Sequence, residues 1–196
     1  GNKKLGAIYS FSIPPDQTCP GATPYCLQRC YAMKTYERYH VCRRSWDRNL
    51  QWTFREDFGD ILSMALSRLT PNILRIHVSG DFYSPEYYRK WAYALSRNTH
   101  IHPFAFTRSW RVEKILKEIR KDGFPQWLMA SVDPKTGPPP SEMRQALMSP
   151  VIGHKGRLEI TAMSELKKIK DICTEQVADV TCQSCGRCGL VKLHKG

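Results

Sequence analysis

The spacing of hydrophobic residues changes several times along the chain and predicts alternating strands and helices. Four short runs rich in β-branched and aromatic residues are typical of strands: 5–13, 73–78, 101–107 and 126–132. Apolar residues three and four positions apart predict helices in three segments between them: 58–69, 85–97 and 109–121. Segment 32–58 has neither Gly nor Pro and predicts one or two further helices. This alternation predicts an α/β fold with a parallel sheet.

The pattern weakens after the fourth predicted strand. Residues 133–150 include Asp-Pro-Lys-Thr-Gly-Pro-Pro-Pro and predict the longest loop of the chain, a candidate lid. Two short strands and a last helix are predicted behind it: 151–152, 158–161 and 164–172. A parallel sheet of about five or six strands is too small for a complete barrel, so we expect a partial barrel, open along one side, over residues 1–172. We expect the cysteine-rich segment 173–196 to belong to the same compact unit.

Length and composition are those of a soluble protein with one domain. The chain has 196 residues, which is ordinary for a single domain. No uninterrupted apolar run is long enough to cross a membrane, and Gly1-Asn-Lys-Lys-Leu5 does not begin a signal peptide. We therefore expect no membrane association and a cytoplasmic location. In a reducing compartment the 8 cysteines favour metal binding over disulfides.

Three cysteines, Cys19, Cys26 and Cys30, follow the first predicted strand with the spacing C-x6-C-x3-C. Turn-forming prolines and a glycine lie between them and let the sulfur atoms converge. Three thiolates would hold three irons of a 4Fe-4S cluster and leave the fourth iron open for a non-protein ligand. A zinc site completed by His40 or Cys42 is the alternative, although Cys42 also fits a plain core position.

A second cysteine set near the carboxyl terminus follows C-x8-C-x2-C-x2-C: Cys173, Cys182, Cys185 and Cys188. Short C-x2-C-x2-C runs resemble the ligand runs of bacterial ferredoxins. Four ligands make a closed site, so this set predicts a second 4Fe-4S cluster without an open iron. Zinc is the alternative here as well, because four thiolates suit it equally.

The chain is strongly basic, with 30 Lys and Arg against 18 Asp and Glu and a formal charge of +12. Such a charge favours polyanions or anionic small molecules as partners. Segment 32–58 interleaves arginines with aromatic residues: Arg38, Tyr39, Arg43, Arg44, Trp46, Arg48 and Trp52. Since arginines contact phosphates and aromatic rings stack on bases, a nucleic acid is a candidate substrate. Packing of these rings in a core is the other interpretation.

The cysteine triplet, together with Ser79-Gly80-Asp81 at the end of the second predicted strand, resembles the radical S-adenosylmethionine superfamily. The superfamily's common spacing is C-x3-C-x2-C, of which C-x6-C-x3-C would be a variant. The closest likeness is to the phage three-cysteine proteins called gene product 88. Their pattern runs Cys-Pro-Gly-Ala-Thr and later Cys-Tyr-Ala, matched here from Cys19 to Ala32. Ser-Gly-Asp-Phe and Thr-Arg-Ser-Trp motifs also match.

The resemblance implies a partial βα barrel of the radical S-adenosylmethionine type. Cys19, Cys26 and Cys30 would then hold the catalytic cluster, and the amine and carboxylate of S-adenosylmethionine would chelate its open iron. Polar residues that follow the later strands would line the cofactor pocket: Ser79, Gly80, Asp81, Arg108, Ser131 and Asp133. The rule that ligands bind at the carboxyl ends of parallel strands supports the same residues independently.

The first functional hypothesis is therefore an iron–sulfur enzyme with two clusters, acting in the host cytoplasm if phage-encoded. It would take an electron from an external donor, cleave S-adenosylmethionine and generate a 5′-deoxyadenosyl radical that abstracts hydrogen from a substrate. Two other classes stay open at this point. One is a non-enzymatic nucleic-acid-binding protein stabilised by zinc, and the other is an electron carrier with two clusters.

Overall fold

Five parallel strands form one sheet in the computed structural model, which describes residues 8–70 and 72–147. The strands are β1 (Tyr9–Phe11), β2 (Ile73–Ile76), β3 (His102–Thr107), β4 (Leu128–Val132) and β5 (Arg144–Leu147). They pair in chain order, and Leu74 in β2 lies beside Tyr9 on one side and Pro103 on the other. Because every pair is parallel, all five strands end at the same edge of the sheet, which we call the carboxyl edge.

Six α-helices accompany the strands: α1 (Pro24–Gln28), α2 (Tyr31–Arg38), α3 (His40–Thr53), α4 (Phe58–Leu66), α5 (Pro85–Ser96) and α6 (Glu113–Lys121). The start of α5 shows why the chain becomes helical there. Ser84 Oγ accepts a hydrogen bond of 3.1 Å from the Tyr87 amide, and Pro85 occupies the first turn. None of the helices among the described residues is long and apolar enough to cross a membrane.

One face of the sheet is covered by α4, α5 and α6, whose apolar side chains form the main core. The largest buried side chains are aromatic and come from α5 and the turn before it: Phe82, Tyr87, Tyr88 and Trp91. Phe11 of β1 meets Trp91 edge-on with ring centroids 5.4 Å apart, which joins the first strand to this layer. Side chains alternate along a strand, so Leu74 and Ile76 both point into it.

The second face of the sheet carries a smaller apolar cluster of Ile8, Phe104 and Met129. Arg75 also belongs to this face, because it alternates with Leu74 and Ile76 along β2. Its guanidinium lies 5.5 Å from the centroid of the Phe106 ring. Its Nε is buried and has no hydrogen-bond partner among residues 8–70 and 72–147.

Each of the four predicted strands contains a strand of the structure, and segment 32–58 forms the two helices α2 and α3. The predicted loop at 133–150 was wrong at Arg144–Leu147, which is β5. Arg-Gln-Ala-Leu has little strand preference of its own, but backbone pairing with β4 overrides it. The predicted helix 109–121 is divided into a 3-10 turn at Ser109–Arg111 and α6. The late strands and last helix predicted after residue 150 lie outside the described residues.

Candidate functional site

The three cysteines of the amino-terminal set lie between β1 and α2, at the carboxyl edge of the sheet. Cys19 is in the loop after β1, Cys26 is in the short helix α1, and Cys30 is the residue before α2. Backbone hydrogen bonds hold this cysteine loop to the end of β2. The Ile13 amide donates to the Ser79 carbonyl at 3.1 Å, and the Asp81 amide donates to the Thr18 carbonyl at 3.1 Å.

Two glycines let the cysteine loop approach the strand ends this closely. Gly80 has a φ of +80°, and a Cβ there would lie 2.3 Å from the Ile13 side chain. A Cβ on Gly21 would lie 1.9 Å from the carbonyl oxygen of Arg108, after β3. Any side chain at either position would push the loop away, so these glycines fix where the sulfur atoms sit.

The thiols of Cys19, Cys26 and Cys30 are all partly buried and lie within electrostatic range of one another. Burial, with the charges of Asp81 and the other two thiols, raises the pKa of Cys19 to about 12. Burial also raises the pKa of Cys26, against the opposing charge of Arg108. No three His, Cys, Asp or Glu side chains in the described ranges already converge on one metal position. The thiols would therefore move together and lose protons on binding a metal group.

Asp81, which follows β2, ties that strand to β3. One carboxylate oxygen accepts hydrogen bonds from Thr107 Oγ1 at 2.6 Å and from the Phe82 amide at 2.8 Å. The other accepts from the Arg108 amide at 2.7 Å. Burial raises the pKa of Asp81, and these hydrogen bonds oppose the rise. The side chain therefore holds the ends of β2 and β3 together.

Asp133, which follows β4, joins the cysteine loop to Arg108. Its Oδ2 accepts from Thr23 Oγ1 at 2.7 Å and from Arg108 Nε at 3.2 Å. Thr23 Oγ1 in turn accepts from the Cys26 amide at 3.0 Å and caps α1. Burial alone would raise the pKa of Asp133, but the hydrogen bonds from Thr23 and the Lys135 amide and the charge of Arg108 lower it overall. The carboxylate thus stays ionised and holds Arg108 beside Cys26.

The comparisons with known proteins give the family. The sequence model described as Gene product 88 matches residues 1–191. The chain belongs to the gene product 88 family. The Gene 88 protein of Mycobacterium phage L5 is 27% identical over 146 residues, which are 68% of this chain and 61% of the relative. The Gene 88 protein of Mycobacterium phage D29 is 31% identical over 121 residues, or 55% of this chain and 50% of the relative.

The chain thus spans between half and two thirds of the length of these gene product 88 relatives, both of them phage proteins. No solved structure matches the chain. The expected likeness to the phage family is therefore confirmed. The wider likeness to the radical S-adenosylmethionine superfamily stays a prediction.

The predicted site residues fall into three groups according to their position in the structure. Cys19, Cys26, Asp81, Arg108 and Asp133 are brought together, as their mutual charge effects and hydrogen bonds show. Two serines complete the predicted set on the same edge: Ser79, whose buried Oγ has no partner among the described residues, and Ser131, which is half-buried within β4. The predicted carboxyl-terminal ligands lie outside the described residues: Cys173, Cys182, Cys185 and Cys188.

Sequence reasoning missed two residues that shape this edge, Thr23 and Arg111, and one on the second face of the sheet, Arg75. Thr23 precedes Pro24, and a threonine before a proline is a recognisable helix start, so the cap could have been found. Its bond to Asp133 could not, because the two residues are 110 positions apart. Arg111 was also missed: its Nη1 donates to the Gly21 carbonyl at 2.7 Å and holds the cysteine loop from the β3 side. Arg75 could have been placed on the second face by its alternation with Leu74.

Proposed function

We propose that this chain is a small enzyme of the radical S-adenosylmethionine type. The observation that carries the proposal is the position of three partly buried cysteines of one loop at the carboxyl edge of an all-parallel sheet, next to charged residues that follow three neighbouring strands. Ligands of parallel α/β proteins bind at this edge. The placement does not depend on the family resemblance and supports it independently.

The residues present fit a four-iron cluster with one open iron. Cys19, Cys26 and Cys30 supply three thiol ligands from one loop, which is one fewer than a closed cluster needs. Two glycines remove side chains from the places where the loop meets the strand ends. Two charged residues beside the loop have the signs that the two charges of an amino acid require: Arg108 for a carboxylate and Asp81 for an amine.

Cys19, Cys26 and Cys30 would hold the cluster, which with an external reductant would supply the one electron needed to cleave S-adenosylmethionine to methionine and a 5′-deoxyadenosyl radical. The chain's own residues bind and orient. Asp133 holds Arg108 in place, and Arg108 lowers the cost of ionised thiols at Cys26. The hydrogen bonds on Asp81 keep the ends of β2 and β3 together, so the cofactor meets a preformed edge.

The strand order supports the partial barrel as the fold class. Parallel crossovers are almost always right-handed, so a sheet in chain order places its helices on one face. That winding belongs to βα barrels, and doubly wound sheets reverse direction instead. The second face would then be the inner, substrate-facing side, with Arg75 available to an anionic group. The second cluster, at Cys173 to Cys188, stays a proposal from sequence.

Anaerobic reconstitution tests the proposal. We expect a brown protein with about eight irons and eight sulfides per chain if both sites hold 4Fe-4S clusters. After reduction with dithionite it should convert S-adenosylmethionine to 5′-deoxyadenosine and methionine in equal amounts. A colourless protein that retains zinc instead contradicts the cluster assignment. A brown protein that forms no 5′-deoxyadenosine contradicts the enzyme and favours the electron carrier.

A further inference from the structure

The exposed side of α3 carries a stripe of side chains that we call the α3 stripe: Val41, Arg44, Arg48 and Trp52. Their spacing of three and four residues places them on one face of the helix. Val41 is 74% exposed and Trp52 is 42% exposed, so neither belongs to the core. From Val41 to Trp52 the stripe is about 16 Å long at 1.5 Å per residue. It is a long surface that mixes charge with an aromatic ring.

The stripe is positively charged and its arginines are not engaged by the rest of the described chain. Between Tyr31 and Arg55 there are 6 basic and 2 acidic residues. Asp47, one of those two, accepts a hydrogen bond of 2.5 Å from Tyr36. Neither Arg44 nor Arg48 has an ion pair or hydrogen bond with another side chain among residues 8–70 and 72–147. Both are free to meet an anion.

The structure separates this stripe from the other arginines and rings of the same segment. Trp46 stacks on Tyr36 at 6.0 Å with 14° between the rings. Arg43 donates to the Tyr36 and Glu37 carbonyls at 3.3 and 3.4 Å. Tyr36, Arg43 and Trp46 thus join α2 to α3. Trp52 differs, because its ring lies near solvent with the Arg55 guanidinium 5.2 Å from its centroid.

We infer that the α3 stripe binds single-stranded nucleic acid. Arg44 and Arg48, one helical turn apart, would contact successive phosphates, and Trp52 would stack on a base. A base offers its flat face to a protein ring only when it is unpaired, which favours single strands over duplex. The inference goes beyond the proposed function, because the stripe lies outside the cysteine site and needs no cluster to bind.

Fluorescence anisotropy with the full chain tests the inference. The probes are fluorescein-labelled 20-nucleotide single strands of DNA and of RNA and the corresponding DNA duplex, titrated between 50 and 200 mM salt. The test variants are Arg44→Gln with Arg48→Gln, Trp52→Ala and Trp52→Phe. A charge-matched control is Arg68→Gln with Arg97→Gln, because both arginines are exposed outside α3.

We expect the Arg44 and Arg48 double variant to weaken single-strand binding at least tenfold at 50 mM salt. Its log–log salt slope should fall by about 1.4, since each lost phosphate contact removes about 0.7. Trp52→Ala should weaken binding about tenfold, and Trp52→Phe should retain most of it. The control should change binding less than twofold. No single-strand binding, a preference for duplex, or an equal loss in the control would overturn the inference. The comparison of the DNA and RNA probes shows which of the two single strands the α3 stripe prefers.

The same titration on apo and reconstituted protein separates this inference from the proposed function. Stripe-dependent binding without 5′-deoxyadenosine formation supports the inference and contradicts the enzyme. Formation of 5′-deoxyadenosine without stripe-dependent binding supports the proposed enzyme and contradicts the inference.

Discussion

Two buried regions of this molecule meet at the ends of the strands. One consists of apolar side chains, and the other contains buried carboxylates. The helix-covered face is an aromatic layer around Phe82, Tyr87 and Trp91. The carboxyl edge buries carboxylates instead, and Asp81 and Asp133 are each about as buried as the rings. Burying apolar rings stabilises the fold, whereas burying charge costs free energy unless partners satisfy it. Substitutions in the first region should therefore change stability alone, and those in the second should change both stability and what the protein binds.

The largest expected effect is loss of the amino-terminal cluster in Cys26→Ala. The two remaining thiols cannot hold the cluster, so iron should fall by about four atoms per chain after reconstitution. Cys42→Ala is the matched control, because Cys42 is equally half-buried but lies in α3 outside the loop. Iron and sulfide analysis with visible absorbance measures the difference. Full iron in Cys26→Ala, or equal loss in Cys42→Ala, would show that the ligands are assigned wrongly.

Trp91→Ala should give the largest loss of stability. This α5 side chain is fully buried against Phe11 and His77, and removing it leaves a cavity. The free energy of unfolding should fall by about 3–5 kcal/mol. Trp52→Ala, at an exposed tryptophan, should change it by less than about 0.5 kcal/mol. Urea denaturation of the apo chain followed by circular dichroism compares the two, and similar losses would contradict the core described above.

Asp133→Asn should weaken contacts at the carboxyl edge and leave the main apolar core unchanged. Loss of the charge weakens the contacts with Thr23 and Arg108, at a cost of about 2 kcal/mol in the free energy of unfolding. Because Thr23 caps α1 beside Cys26, cluster assembly should also become slower. Asp57→Asn, which breaks an exposed pair with Arg55, should change neither quantity measurably. Unchanged assembly kinetics in Asp133→Asn would remove the proposed link between the carboxylate and Cys26.

The smallest expected effect is a pH dependence from His77, the buried residue directly after β2. Burial lowers the pKa of His77 to about 3, and its Nε2 lies 2.8 Å from Tyr87 Oη. The unfolded chain, with a histidine pKa of about 6.5, binds the proton more readily between these values. Stability from this group is therefore complete above pH 6.5 and is lost as the pH falls, by about 1 kcal/mol between pH 6.5 and 5.5.

His77→Asn should remove this dependence, since asparagine tolerates the positive φ of 62° at this position. His100→Gln, at an exposed histidine, is the control and should leave it in place. Urea denaturation at the two pH values measures both variants. A wild-type slope that persists in His77→Asn would assign the dependence to other groups.

Much of the fold was predictable from local patterns. The spacing of apolar residues identified β2, β3 and β4, and Ser84-Pro85 identified the start of α5. Long-range effects were not predictable in the same way. Strand β5 has no strand-like sequence and forms by pairing with β4, so the prediction placed a loop there.

The same distinction between local patterns and long-range contacts applies to the candidate site. The cysteine spacing identified the loop, and the strand ends identified Asp81, Arg108 and Asp133. Their partners were not identifiable, because Thr23 meets Asp133 across 110 positions and Gly21 meets the Arg108 carbonyl through backbone contact alone. Such contacts depend on how the strand ends converge in three dimensions, which no local pattern records.

The central claim is an open iron held by Cys19, Cys26 and Cys30. It is tested most directly by electron paramagnetic resonance of the reduced full chain carrying Cys182→Ala and Cys185→Ala, which should lack the second cluster. Addition of S-adenosylmethionine labelled with nitrogen-15 at its amine should shift the cluster signal and introduce a nitrogen-15 hyperfine coupling. A cluster signal that S-adenosylmethionine leaves unchanged, or the absence of any cluster in this variant, would contradict the claim.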